Sequence, residues 1–334
     1  MKKLIFSALL AAAIAGGANA QTYTNPVFST YWGSPNINVI RGDDGNYYGF
    51  IHEGWGRYSS NLADWADAYR VADEATHYGT YTIKQPSVHK VGNRYIMYYE
   101  AYNTSTNTGE AICVNVSDKP GGYYSPWGGN GSAQSIILHM SSLGIGGVWD
   151  PSYIRDPSTG RHYLIYSGSE RGICAVELAA DGLSIAPGAQ HIQLTGLGIT
   201  QPSMYYHDGY FYLFATYTEQ MAPINGWTTT TNKVIVVGRS ESPTGPYVDA
   251  AGRRMLDGYY HQVMAGHPFR FTDPEKPSFV TDDAGQEWVI YNAWQVGADN
   301  VDPIMMLDKV RWKDGWPVLG DGYPSYYPVA RPKR

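Results

Sequence analysis

Gln85-Pro86-Ser87-Val88, followed after a short gap by Gly92-Asn93-Arg94-Tyr95-Ile96-Met97-Tyr98-Tyr99, is one copy of a phrase that recurs along the whole chain. The turn and its Tyr-rich alternation return as Asp44-Gly45-Asn46-Tyr47-Tyr48-Gly49-Phe50 and Gly160-Arg161-His162-Tyr163-Leu164-Ile165-Tyr166. They return again as Asp208-Gly209-Tyr210-Phe211-Tyr212-Leu213-Phe214 and Gly285-Gln286-Glu287-Trp288-Val289-Ile290-Tyr291. Asp-Gly and Gly-Asn steps are hairpin turns, and the alternation after them marks the second strand of each hairpin. A matching first strand precedes each phrase: Asn38-Val39-Ile40 in the first, then strands opened by Pro86-Ser87, Pro151-Ser152, Pro202-Ser203 and Pro277-Ser278. Third strands follow, as at Ala111 to Val116 and Val234 to Gly238. Successive Pro-Ser pairs are about 50 to 75 residues apart, enough for a four-stranded blade with loop insertions. The pattern predicts an all-β protein, a five-bladed β-propeller with four antiparallel strands per blade. A β-sandwich would not produce five in-register copies of one hairpin.

Outward from the repeats, residues 1–20 read as a secretory signal peptide. Lys2 and Lys3 precede an apolar stretch from Leu4 to Ile14, and Ala18-Asn19-Ala20 supplies a small-residue cleavage site. That apolar stretch is too short to span a bilayer, and no later one is long enough. Residues 21–334 then form a single propeller domain, expected to be a monomer in the periplasm or outside the cell. The Gly-rich stretch from Gly121 to Gly131 reads as a loop between blades, and Tyr259 to Lys276 as an insertion able to overhang the mouth.

Charged residues make up 16% of the chain and the net charge is -6, which argues against both disorder and a nucleic-acid partner. The 29 Tyr and 10 Trp fit an oligo- or polysaccharide partner, because flat rings stack on sugar faces, although β-strands themselves account for most of the Tyr. Cys113 and Cys174 occupy similar strands in neighbouring blades, too far apart for a disulfide, so both are expected to be buried thiols. No Cys/His spacing resembles a metal site, and no cofactor is implied.

In a propeller the first strand of each blade lines the axis, and antiparallel pairing returns the end of the second strand to the same face. One ring of residues at that mouth should be Asn36, Gln85, Asp150, Gln201 and Lys276. A second should hold Glu53, Glu100, Ser167 with Glu170, Tyr217 with Glu219, and Asn292. A polar funnel would explain the first ring as well as catalysis would. The carboxylates of the second favour glycoside hydrolysis, which needs one protonated and one ionised carboxyl flanking the scissile bond. Asp150, Glu53 and Glu100 are the candidates.

The chain resembles glycoside hydrolase family 43 and its five-bladed relatives, the arabinanases, arabinofuranosidases and β-xylosidases. The phrases that carry the likeness are Ser59-Ser60-Asn61-Leu62-Ala63-Asp64-Trp65, Trp149-Asp150-Pro151-Ser152, Ser240-Glu241-Ser242-Pro243-Thr244-Gly245-Pro246-Tyr247 and Arg311-Trp312-Lys313-Asp314-Gly315-Trp316-Pro317. The resemblance implies an Asp base from blade one, an Asp from blade three that tunes the acid, and a Glu acid from blade four. The blade-three Asp falls on Asp150. The blade-one and blade-four positions fall on Asn36 and on Thr200 or Gln201, which do not titrate usefully near neutral pH. Where the family often has a His beside a bound ion, Lys276 stands instead, with His267 upstream, so no metal is carried over.

The expected activity is therefore a glycosidase acting on a furanoside or pentose polymer such as arabinan, with Asp150 central and Glu53 and Glu100 as a relocated acid/base pair. Asn36, Gln85, Gln201, Lys276, His267, Tyr217 and Asn292 are expected to bind substrate. Lys276 points either to an acidic sugar or to an ion pair with Asp150 or Glu275. The alternative is a glycan-binding propeller that lacks the acid and base, and engineered amides at Asn36 and Gln201 are a third explanation of those positions.

Overall fold

Each Tyr-rich phrase forms the second strand of an antiparallel sheet, and five such sheets stand as blades around an axis. The structure, a computed structural model, describes residues 21–28, 37–73, 81–129, 133–221, 230–298 and 303–334. The signal-like segment and Asn36 lie outside the described residues. From the axis outward, blade one contains Asn38–Arg41, Tyr47–Ile51, Trp55–Ser59 and Tyr69–Arg70. Blade two contains Tyr81–Val91, Arg94–Asn103, Thr108–Ser117 and Ile136–His139, with the short Ser125–Pro126 also on its third strand. Blade three is Val148–Arg155, His162–Gly168, Gly172–Leu178 and Ile192–Gln193. Blade four is Ile199–His207, Tyr210–Met221, Thr230–Ser240 and His261–Met264, and blade five is Phe271–Thr281, Glu287–Gln295, Ile304–Lys313 and Trp316–Leu319.

A propeller blade is apolar on both faces because it packs against a neighbour on each side. The buried side chains accordingly fall into clusters between successive blades, such as Ile96, Val114, Leu164 and Val176 between blades two and three. Phe214, Val237, Val289 and Met306 play the same part between blades four and five. Cys113 and Cys174 are free and buried in two different clusters of this kind, which keeps them apart. The ring is closed by Thr22–Tyr23 pairing with Val329–Ala330. There Asn25 clamps blade five: its Nδ2 donates to the Leu307 carbonyl and its Oδ1 accepts from the Leu307 N–H, each at 2.9 Å.

The Pro-Ser pairs do not open the inner strands, as the sequence suggested; they interrupt them. In blade two Lys84 pairs with Glu100 and Ser87 with Tyr98, so Gln85 and Pro86 together face the single residue Tyr99. The same two-against-one step occurs between Trp149 and Ser152, Thr200 and Ser203, and Glu275 and Ser278. This is a β-bulge, a place where a strand tolerates a proline that has no N–H to donate. The residue before each proline adopts a left-handed backbone: φ is 53° at Gln85, 53° at Asp150, 58° at Gln201 and 53° at Lys276. Four non-glycine residues in that conformation, at one position of four blades, aim four polar side chains at the mouth.

Candidate active site at the propeller mouth

The bulges also fix the second ring, because the residue two beyond the partner of each Pro-Ser serine comes to the mouth. In blades two to five these are Glu100, Ser167, Thr216 and Asn292. In blade one Asn38 pairs with Phe50 as Ser87 pairs with Tyr98, so the corresponding residue is His52. Glu53 and Tyr217 are therefore one residue out of phase with this ring, and in a strand such a slip turns a side chain to the opposite face. Glu53 lies in a turn with φ 61°, and Tyr217 packs its ring 4.9 Å from that of Tyr260.

Three members of the second ring, Glu100, Ser167 and Thr216, stitch their blade to the next. The Gln201 N–H donates to Ser167 Oγ and to Asp150 Oδ2, both at 3.2 Å, and the Lys276 N–H donates to Thr216 Oγ1 at 3.2 Å. Glu100 takes the same part for blade two, accepting from the Asp150 N–H. A left-handed residue turns its N–H away from its own sheet, and these side chains satisfy it.

A cleft of about 500 Å³ opens at the mouth among blades two, three and four. Glu100, Asp150, Gln85 and Gln201 line it, with Lys84 and Trp149 beside them. An axial channel of about 420 Å³, walled by the inner strands of all five blades, shares Gln85, Asp150 and Gln201 with this cleft. Thus Asp150, Glu100, Gln85 and Gln201 come together as a group. Lys276 reaches the same centre from blade five and lines the channel. Asn292 is fully buried behind it, and His267 sits apart in an aromatic group with Tyr326, ring centroids 4.9 Å apart. Neither these two, nor Glu53, nor Tyr217 lines the cleft.

The charges in this region are arranged in pairs. Lys276 Nζ lies 3.2 Å from Asp150 Oδ1, with both side chains nearly inaccessible. Lys233 Nζ lies 2.6 Å from Glu275 Oε2, and Gln201 Nε2 donates to the same oxygen at 3.3 Å. Burial lowers the Lys276 pKa, opposed by Asp150, Glu275 and Glu100. Glu100 has no cation within ion-pair distance among the described residues. Burial first, then the neighbouring Asp150 charge, push its carboxyl up to about 8, against the weaker pull of Lys276 and Lys84. It is therefore protonated at neutral pH. Its oxygen has room only because residue 109 is glycine: a Cβ there would stand 2.7 Å from Glu100 Oε1. Burial, with Lys276 and Lys84 nearby, pushes His52 down to about 4, so that imidazole is neutral.

Gln85 and Gln201, which line the cleft, each carry a buried Oε1 with no hydrogen-bond donor among the described residues. A buried unsatisfied acceptor costs on the order of 1–3 kcal/mol, so both amides are held at the mouth with an unmet acceptor. No cluster of potential metal-ligating side chains occurs among the described residues. Sequence alternation does not reveal Lys84, because the proline reads as the start of the inner strand, nor His52, because the backbone leaves the strand after Ile51. Only the strand's continuation across the bulge brings Lys84 to the mouth.

The family model described as Glycosyl hydrolases family 43 matches residues 23–317. Among curated proteins, the extracellular endo-α-(1→5)-L-arabinanase 1 of Bacillus subtilis is 24% identical over 238 residues, 70% of this chain and 67% of that protein. Arabinan endo-1,5-α-L-arabinosidase C of Emericella nidulans is 27% identical over 92% of this chain and 96% of its own length. Among solved structures, the Cellvibrio cellulosa α-L-arabinanase complexed with arabinohexaose superposes with a TM-score of 0.69 at 19% identity, over 88% of this chain and 98% of that one. An exo-1,5-α-L-arabinanase from a bovine ruminal metagenomic library does so with a TM-score of 0.69 at 21% identity, over 90% and 98%.

Proposed function

The chain belongs to glycosyl hydrolases family 43, and from that premise we propose that it is a secreted glycosidase that cleaves an arabinan-like polysaccharide at the propeller mouth. The observation that supports this most is the unequal pair Glu100 and Asp150, two carboxyls in one cleft, the first pushed up to about 8 and the second paired with Lys276. Glu100, neutral and buried, is the general acid. Its proton passes to the glycosidic oxygen as the bond to the anomeric carbon breaks. Asp150 is held by Lys276 and the Gln201 N–H. Its charge holds the proton on Glu100 and faces the positive charge that develops on the sugar ring. A water molecule supplies hydroxide to the anomeric carbon and gives up its proton to a carboxylate. Gln85 and Gln201 meet sugar hydroxyls with their side-chain amides, turning out the Oε1 atoms that lack donors in the free protein.

The curated relatives named above are described as acting on arabinan, which directs the first assay. Purified protein should release arabinose or arabino-oligosaccharides from linear arabinan, and Glu100→Gln and Asp150→Asn should each reduce the rate by about 100-fold or more. Unchanged rates in both variants would remove these residues from the chemistry.

One observation favours a second reading, a glycan-binding propeller without catalysis. Glu100 occupies the place of Ser167 and Thr216 and does the same stitching work, so its carboxyl has a structural use. Saturable binding of arabinan oligosaccharides with no product after prolonged incubation would establish that reading instead.

A further inference from the structure

Lys84 stands apart from the other cations of the mouth. Lys276 is matched by Asp150 and Lys233 by Glu275. Lys84 has no carboxylate within ion-pair distance among the described residues; its Nζ rests 3.4 Å above the centre of the Tyr102 ring. Lys84, Tyr102 and Trp149 all line the cleft. An ammonium on an aromatic face keeps its remaining donors free, because the ring occupies only one side of the group. A half-buried cation in a pocket, without a paired carboxylate among the described residues, leaves a position for an anion.

We propose that Lys84 makes this cleft select a glycan that bears a single negative charge on the sugar beside it, a uronate or a sulfate ester. The inference rests on the mouth being a glycan site, as proposed above, and specifies which glycan it takes. The neutral sugar units would meet Gln85 and Gln201, and the charged substituent would meet Lys84.

Lys84 stands opposite Glu100 in the ladder, and Glu100 is pushed up to about 8 while His52 is pushed down to about 4. Loss of the Glu100 proton would place a negative charge beside Lys84, so affinity for an anionic sugar should fall as pH rises past about 8. A neutral sugar should show no such loss.

Calorimetric titration with matched oligosaccharides tests this. The uronate pair is glucuronate-substituted xylo-oligosaccharides and oligogalacturonates against their carboxyl-reduced counterparts. The sulfate pair is sulfated galacto-oligosaccharides against their desulfated forms. We expect the charged member of one pair to bind about tenfold more tightly, the size of one charge-assisted hydrogen bond. That preference should shrink at pH 9 and disappear in Lys84→Gln. Which pair discriminates identifies the anion. Equal affinity within every pair, or no binding of any charged member, would overturn the proposal. The comparison within pairs uses the unaltered protein, so poor folding of the variant does not blunt it. Hydrolysis of arabinan with no charge preference would sink this inference and leave the glycosidase standing; a charge preference with no hydrolysis would do the reverse.

Discussion

Lys276 Nζ and Asp150 Oδ1 are 3.2 Å apart across the propeller axis, with about a tenth or less of either side chain accessible. The two residues belong to blades five and three, and each sits in the same left-handed bulge. Between them they supply a buried cation and a buried anion where the equivalent residues of blades two and four are glutamines.

Removing one member should be costly, because the other would be left charged with little water. Lys276→Met is expected to destabilise the fold by about 3–5 kcal/mol, whereas Lys276→Met with Asp150→Asn should recover much of the loss. Denaturant unfolding of the single and double variants measures the coupling. A single variant as stable as the unaltered protein would show that the pair is not held as described.

Glu100 sets the expected pH dependence of turnover. A general acid works only while protonated, so the rate should fall on the alkaline side with an apparent pKa of about 8. Asp150→Asn removes a neighbouring charge that raises this value, and should shift any residual alkaline limb to lower pH. A limb that stays in place would separate Asp150 from the tuning of Glu100.

The same carboxyl links stability to pH. Its folded pKa of about 8 exceeds the ordinary value of 4.5, so between these values the folded protein binds more protons than the unfolded chain. This contribution is complete below about 4.5 and is lost as pH rises through about 8. Glu100→Gln cannot titrate. Its melting temperature should therefore decline less than that of the unaltered protein between pH 5 and pH 8. Parallel curves would mean that Glu100 is ionised in the folded state throughout.

Gln85 tests whether strain is maintained for the site. Its φ of 53° is one that glycine adopts freely and glutamine does not. Gln85→Gly should leave stability within about 1 kcal/mol, since relief of strain offsets the entropy of the new glycine. It should weaken oligosaccharide binding, because the unpaired Oε1 is gone. Chemical denaturation together with calorimetry reads both. Lost stability with intact affinity would reverse the assignment.

The fold was legible because the Tyr-rich hairpin is a local signal: its turn residues and period-two alternation are written in adjacent positions, as in Asp208-Gly209-Tyr210-Phe211-Tyr212. The first ring was legible for the same reason, since Gln85, Asp150, Gln201 and Lys276 each stand before a proline. The second ring was read less well. Glu100 follows its strand in simple alternation and was found, but after Ile51 the backbone leaves the strand, and Glu53 was chosen where His52 faces the mouth. Lys84 carries no repeat signature of its own. Its role depends on a strand running through a proline, which the usual meaning of proline in a strand disguises.

The four bulges hold an amide, a carboxylate, a second amide and an ammonium on nearly the same backbone. The N–H groups of Asp150, Gln201 and Lys276 are satisfied by side chains of the preceding blade, and the prolines and serines of the bulges belong to the inner strands. The side chain at each bulge thus behaves as an interchangeable fitting in a fixed socket. Exchanging the glutamine of blade two or blade four alters charge or proton affinity at the mouth on a backbone already in place, whereas Lys276 and Asp150 must change together. Such a scaffold lets reactivity and sugar preference change at the bulges, one or two blades at a time.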